Sequence, residues 1–182
     1  MEIAKNNLRI VGERIYLRSL AVEDATEEYV SWLRDEEVNQ FLETHFSKYT
    51  LESVREYIKK VSQESNYLFL AIIRKDNNKH IGNIKLGPID LHHKVSDQGI
   101  MIGDRDSWGR GYATEAFKLV ADYAFKVLKL HKMTSGVYES NIGCIKSLIT
   151  AGHHEEGRRK NQLFHNGKYE DCVLMAKFSD VK

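Results

Sequence analysis

The chain has 182 residues, a formal net charge of +1 and 29% charged side chains of both signs. That length suits one domain with a sizeable core, and the single proline, with no linker or repeat, leaves residues 1–182 as one unit. Mixed, near-neutral charge argues against nucleic acid or an acidic membrane surface as the main partner. No apolar stretch approaches the ~20 residues of a bilayer span, and the N-terminus lacks a signal-peptide core, so a cytoplasmic location is expected.

In chain order, the polar–apolar pattern predicts a strand over residues 14–19 and helical segments over 21–34 and 51–65, the latter opened by Thr50 as N-cap. Apolar runs at 67–74 and 80–88 read as strands joined by the polar turn Lys75-Asp76-Asn77-Asn78-Lys79, an antiparallel hairpin. A short strand at 99–103, Gly-Ile-Met-Ile-Gly, precedes a glycine-bearing loop and a helix over 113–128. A strand at 132–138, a helix at 142–150 closed by Gly152, and two strands near 154–160 and 171–178 follow. This order, β-α-α-β-β-β-α-β-α-β-β, mixes hairpins with crossovers and suits an α+β arrangement better than a purely doubly wound sheet.

The loop reads Trp108-Gly109-Arg110-Gly111-Tyr112-Ala113-Thr114. Two glycines one residue apart let backbone amides converge, and the helix behind them adds the positive end of its dipole, a combination that suits a phosphate. A dinucleotide-binding loop would want glycine or alanine where Thr114 stands, and an early place in its domain. A nucleoside-triphosphatase loop would need Gly-Lys-Ser/Thr, which is absent. The pairs His92-His93 and His153-His154 lack metal-ligand spacing, since neighbours on a strand point to opposite faces, so no metal is expected. Cys144 and Cys172 are too few for a disulfide framework and read as reduced thiols.

Residues 99–152 resemble the GNAT acetyltransferases, most closely the branch holding ribosomal-protein N-terminal acetylases and nucleotide-linked amino-sugar acetyltransferases. The likeness rests on Trp108-Gly109-Arg110-Gly111-Tyr112-Ala113, on Ala-Thr-Glu-Ala at 113–116, on Asp-Tyr-Ala-Phe at 122–125, and on Asn141 opening the next helix. It implies a mixed α/β fold: a central, mostly antiparallel twisted sheet flanked by helices, with parallel strands splayed at an acetyl-CoA cleft. Those strands would be 99–103 and 132–138. It implies acetyl-CoA as co-substrate, with the backbones of Met101 and Ile102 on the pantetheine and thioester. Gly109, Arg110, Gly111, Tyr112, Ala113 and Thr114 would hold the pyrophosphate, Arg105 and Arg110 would add charge, and Asn141 and Lys146 would meet other parts of the cofactor.

Direct acyl transfer to an amine needs a proton acceptor, carbonyl stabilisation and a proton for the leaving thiolate. Glu139 and Asp97 are the carboxylates nearest the expected cleft. Tyr138 and Cys144 are candidate proton donors, Cys144 standing where relatives often carry serine; packing is the plain alternative for both. Trp32, Glu36 and Phe41, in a run of aromatics and carboxylates, are candidate acceptor contacts. The expected acceptor is a small-molecule amine such as an amino sugar, with protein N-termini and polyamines as alternatives. A non-catalytic acyl-CoA-binding sensor is the reading from another class, and the expected assembly is a monomer or homodimer.

Overall fold

The computed structural model describes residues 8–42 and 49–180. Eight strands form one sheet in the order β1-β2-β3-β4-β5-β6-β8-β7. They are β1 (Arg9–Val11), β2 (Ile15–Ser19), β3 (Leu68–Arg74), β4 (His80–Asp90), β5 (Val95–Ile102), β6 (Lys132–Tyr138), β7 (His154–His165) and β8 (Lys168–Phe178). Every neighbouring pair is antiparallel except β5 and β6. The run Leu-Phe-Leu-Ala-Ile-Ile in β3 has little alternation because both faces of the sheet are covered. Leu68, Leu70 and Ile72 join one core cluster, while Ala71 and Ile73 join the other.

On the first face lie α4 (Tyr112–Lys126) and α5 (Ile142–Thr150), which bury Phe117, Val120, Ala121 and Leu148. The second face carries α1 (Glu27–Arg34), α2 (Glu36–Asn39) and α3 (Leu51–Gln63), which bury Tyr29, Val30, Val54 and Ile58. Thr50 caps α3 as expected: its hydroxyl accepts the Ser53 amide at 3.1 Å. No helix among the described residues is long and apolar enough to cross a membrane.

Several boundaries differ from the sequence expectation, for local reasons. The helix expected over 21–34 breaks into a 3₁₀ turn, Val22–Asp24, and α1. Asp24 binds the Arg18 guanidinium and the Ala21 amide, side-chain bonds that compete with a continuous helix, and Thr26 then caps α1 afresh. β1 and α2, only three and four residues long, are too short to show a period. β7 and β8 extend toward each other and meet at Asn166-Gly167, both at positive φ (50° and 80°), the backbone of a tight hairpin turn.

The cleft arises where one ladder stops. β5 and β6 pair only at Val95–Lys132, Ser96–Met133 and Asp97–Thr134, although both strands continue. The Ser135 hydroxyl still reaches the Gln98 carbonyl at 3.2 Å, and beyond it the two edges open. β5 meanwhile stays in register with β4 as far as Ile102. The Gly103 amide bonds to Ile81, so alternation turns the backbones of Gly99 and Met101 toward β4 and those of Ile100 and Ile102 toward the opening.

Trp32 packs flat against Gly103, where an added Cβ would overlap the indole, whereas a Cβ at Gly99 would meet nothing within 4 Å. Gly103→Ala should therefore cost about 1–3 kcal/mol of stability by overpacking, and Gly99→Ala less than about 0.5 kcal/mol, as read from urea unfolding.

Candidate active site

The glycine loop is set by backbone geometry. Gly109 and Gly111 have φ of 70° and 80°, a region that side chains with a Cβ enter at a cost. Gly111 is the N-cap of the 15-residue α4 and offers no capping side chain, so the amides of Tyr112, Ala113 and Thr114 keep no intrahelical partner. The helix thus presents both free N–H groups and its positive dipole end at one point.

The acid in that first turn is turned away. Glu115 accepts the Arg14 and Ile15 amides at 2.9 and 3.2 Å and the Arg14 Nε at 3.0 Å, fastening β2 to α4. Arg14 also donates to the Arg110 carbonyl at 2.7 Å, and the Arg14 and Arg74 guanidiniums lie 5.1 and 5.7 Å from the centre of the Tyr112 ring. Both cations sit beside the loop but come from β2 and β3, with no local motif to announce them. Arg105 is placed differently from the expectation: it pairs with Asp35 at 3.4 Å and with Glu37, which anchors it to α2 and its cap. The Trp108 indole N–H donates to the Ile102 carbonyl at 2.8 Å, tying the loop to the end of β5.

A cavity of about 470 Å³ reaches through the opening between β5 and β6. Ile100, Phe117, Val137, Asn141 and Cys144 line it on the α4–α5 side; Tyr29, Phe41, Tyr49, Tyr57, Phe69 and Met101 line the other. The register separates Met101 from Ile102. Met101 meets the cavity with its side chain, its backbone being turned to β4, while the edge groups facing the opening belong to Ile100 and Ile102.

Asn141 caps α5, its Oδ1 accepting the Cys144 amide at 3.1 Å, and it also lines the cavity. Burial pushes the Cys144 thiol up to about 12. Tyr138 lines the wall between the Phe41 ring at 5.5 Å and the His165 ring at 5.6 Å. Glu139 does not reach this space; its carboxylate pairs with Arg158 on the far side of the strand end. Asp97 is not among the residues that line the cavity; it stands at the last paired position of β5 and β6, where its Oδ1 accepts from the Thr134 hydroxyl at 3.0 Å. Partial burial raises its carboxyl above the ordinary value, although the residue keeps solvent contact that limits the rise.

Of the expected acceptor contacts, Phe41 lines the cavity. Trp32 is core, packed on Gly103 and 5.2 Å from the His80 ring, and Glu36 is exposed on α2. Lys146 is exposed on α5. Sequence reading passed over three features. Lys85 lines the cavity from β4; Gln98 donates to His153 at 2.7 Å beneath it; and behind Tyr138, His165 Nδ1 meets Glu170 at 2.8 Å, with the Ser140 hydroxyl on the same carboxylate oxygen at 2.9 Å. Lys85 meets Tyr57, Gln98 meets His153 and Ser140 meets Glu170 across 28 or more residues, and His165 meets Glu170 only because the β7–β8 hairpin folds back, so no spacing signal exists. Among the described residues no group of three or more His, Cys, Asp or Glu is placed to hold a metal.

Comparison with known proteins agrees with this geometry. A family model described as an acetyltransferase (GNAT) domain matches residues 14–154. The chain is similar to the "Probable N-acetyltransferase YjcK" of Bacillus subtilis (strain 168), at 34% identity over 91% of this chain and 94% of that protein. It is also similar to the spermidine N(1)-acetyltransferase of Escherichia coli (strain K12), at 31% identity over 67% of this chain and 63% of that protein. In fold it is similar to the crystal structure of spermidine N-acetyltransferase from Vibrio cholerae in complex with CoA and spermine. That match has a TM-score of 0.81 and 21% identity, and covers 92% of this chain and 97% of the other.

Burial, with the nearby Lys177 charge, lowers His153 to about 4. Its folded value lies below the unfolded value of ~6.5, so acid protonates the unfolded chain first. Stability should be intact above about pH 6.5 and fall by up to about 1.4 kcal/mol per pH unit from there toward about pH 4. His153→Gln should flatten that slope in urea titrations at pH 7.5, 5.5 and 4.5.

Proposed function

The chain belongs to the acetyltransferase (GNAT) domain family and is an N-acetyltransferase, and from that premise we propose direct transfer of acetyl from acetyl-CoA to the primary amine of a small molecule. The observation that carries the reading is the meeting of the Gly109–Gly111 loop, the opened β5–β6 edge and the cavity between the helix layers.

The residues fit the donor. Amides of Gly111, Tyr112, Ala113 and Thr114, with Gly109, Arg110 and the neighbouring Arg14 and Arg74, suit a pyrophosphate. Apart from the Ile102 carbonyl, which the Trp108 indole holds, the edge of Ile100 and Ile102 offers backbone groups to an extended amide-bearing arm, and the Asn141 side chain faces it from the other wall. Acetyl-CoA, when bound, supplies the acetyl group as a thioester.

The remaining work belongs to side chains. Asp97, next in the chain to the cavity-lining Gln98 and with a carboxyl raised by partial burial, is the proposed acceptor of the incoming ammonium's proton. Cys144, pushed up to about 12, releases its proton too reluctantly to serve a departing thiolate. The Tyr138 side chain, which lines the same cavity, is the candidate proton donor, with water as the alternative. The aromatic wall suits a flat or apolar face on the acceptor, the stacking face of an amino sugar included. Lys85, the one basic side chain among the described lining residues, matches the anionic character of nucleotide-linked amino sugars.

Thiol release from acetyl-CoA against a nucleotide-linked amino sugar, spermidine and free peptide N-termini tests the reading. The amino sugar should give the highest kcat/KM. Gly111→Val should raise the KM for acetyl-CoA at least tenfold. Asp97→Asn should lower kcat about 10²–10⁴-fold and abolish its acid-side pH dependence. Cys144→Ala should keep kcat within about threefold, since a thiol held this high is a poor acid. Tight acetyl-CoA binding with no thiol release across amines would instead favour the sensor reading.

A further inference from the structure

The charge on the acceptor side of the cavity carries one step more, which rests on the transferase reading. Lys85 stands on β4 directly opposite Gly99 of β5, and the side-chain period of two puts Asp97 and Met101 on the Gly99 face. Gly99 has no side chain, and the space a Cβ would enter is open to 4 Å. Lys85 therefore faces an uncovered patch of floor within the cavity.

The ammonium is aimed and unneutralised. Lys85 Nζ donates to the Tyr57 hydroxyl at 3.1 Å and lies 5.8 and 5.6 Å from the ring centres of Tyr57 and Tyr67. A long flexible side chain is thereby held in one direction. It is half-buried, it is the one charged side chain among the described lining residues, and no described carboxylate lies within ion-pair distance of it. Asp97 acts on it only through space. An ammonium in an aromatic-walled cavity is stabilised by a counterion once the cavity fills and water leaves.

We propose that the acceptor carries an anionic group, a carboxylate or a phosphate, a few bonds from its amine, and that Lys85 holds this group while the amine meets Asp97. The spacing supports it. Lys85 and Asp97 are diagonal neighbours across β4 and β5, about 7–8 Å apart at the backbone, and their side chains leave the same face of the sheet. The body of such an acceptor lies against Tyr29, Phe41, Tyr57 and Phe69. A polyamine has no group for Lys85 and brings a second cation against it.

Matched acceptors test this. Aromatic, aliphatic and sugar bodies are each prepared with the amine alone, with an adjacent carboxylate, with the carboxylate masked as an amide, and with a phosphate ester, and kcat/KM is measured for all. The acid-bearing member of the preferred body should exceed its amide at least tenfold. That ratio should fall to about one in Lys85→Met and recover in Lys85→Arg. The carboxylate and phosphate arms decide which anion is used. In parallel, calorimetry with the N-acetylated acids should show binding at least tenfold weaker to Lys85→Met than to the wild-type protein. Equal use of acid and amide, or a preference that survives Lys85→Met, overturns the proposal. If no amine is acetylated the transferase reading falls, while unchanged acid binding in Lys85→Met would remove Lys85 from any acceptor site.

Discussion

Everything functional in this molecule depends on a ladder that ends early. β5 and β6 share three paired positions and then part, although each continues for several residues. They can part because each is held from its other side, β5 by β4 and β6 by β8, so the opening costs the sheet no loss of position. Backbone groups left along the opened edge seek partners, because buried amides and carbonyls are costly unmade. The fold thus builds a slot whose walls are rigid and whose hydrogen-bonding groups are preorganised.

Electrostatic fastenings hold the slot's surroundings rather than its chemistry. Glu115 binds two amides and a guanidinium of the β2 start, fixing α4 and therefore the loop amides at its N-terminus. Arg18 and Asp24 join β2 to the 3₁₀ turn that leads into the helices over the acceptor side. The Trp108 indole fastens the loop to β5. These contacts place the loop amides at the start of α4 beside the end of β5, with the aromatic-lined cavity between the sheet and the α1–α3 layer.

The two faces of the sheet divide the labour. The α4–α5 face is aliphatic and closely packed around Phe117 and Leu148, whereas the α1–α3 face brings aromatic side chains and Lys85 to the cavity. Buried polar atoms without partners cluster under the cavity at Asn83, Gln98 and His153, with His165 behind Tyr138. Asn83 and Gln98 line the cavity from opposite faces of the sheet, and buried polar groups of this kind are ordinarily met by a partner or by water.

Much of this was legible in the chain itself. Periodicity placed β6 and α5 at their observed bounds, and the glycine pair announced the positive-φ turn into α4, because those signals are local. The bounds of α1 and β5, the Asn166-Gly167 hairpin and the short β1 were missed where side-chain bonds or brief segments override a period. At the candidate site, Gly109 to Thr114 form the turn into α4 and Asn141, Tyr138 and Phe41 line the cavity, while Trp32 is core and Glu139 pairs with an arginine. Arg14, Arg74, Lys85 and the opened strand edge were invisible, since they become neighbours only when strands from separate parts of the chain align. The sequence by itself determined the family pattern, the loop chemistry and most elements, because these rest on contacts within a few residues. Only the tertiary structure decided which backbone edge faces the opening, where Asp97 meets Thr134 and that Lys85 reaches the cavity, because strand register and side-chain pairing across the sheet set those positions.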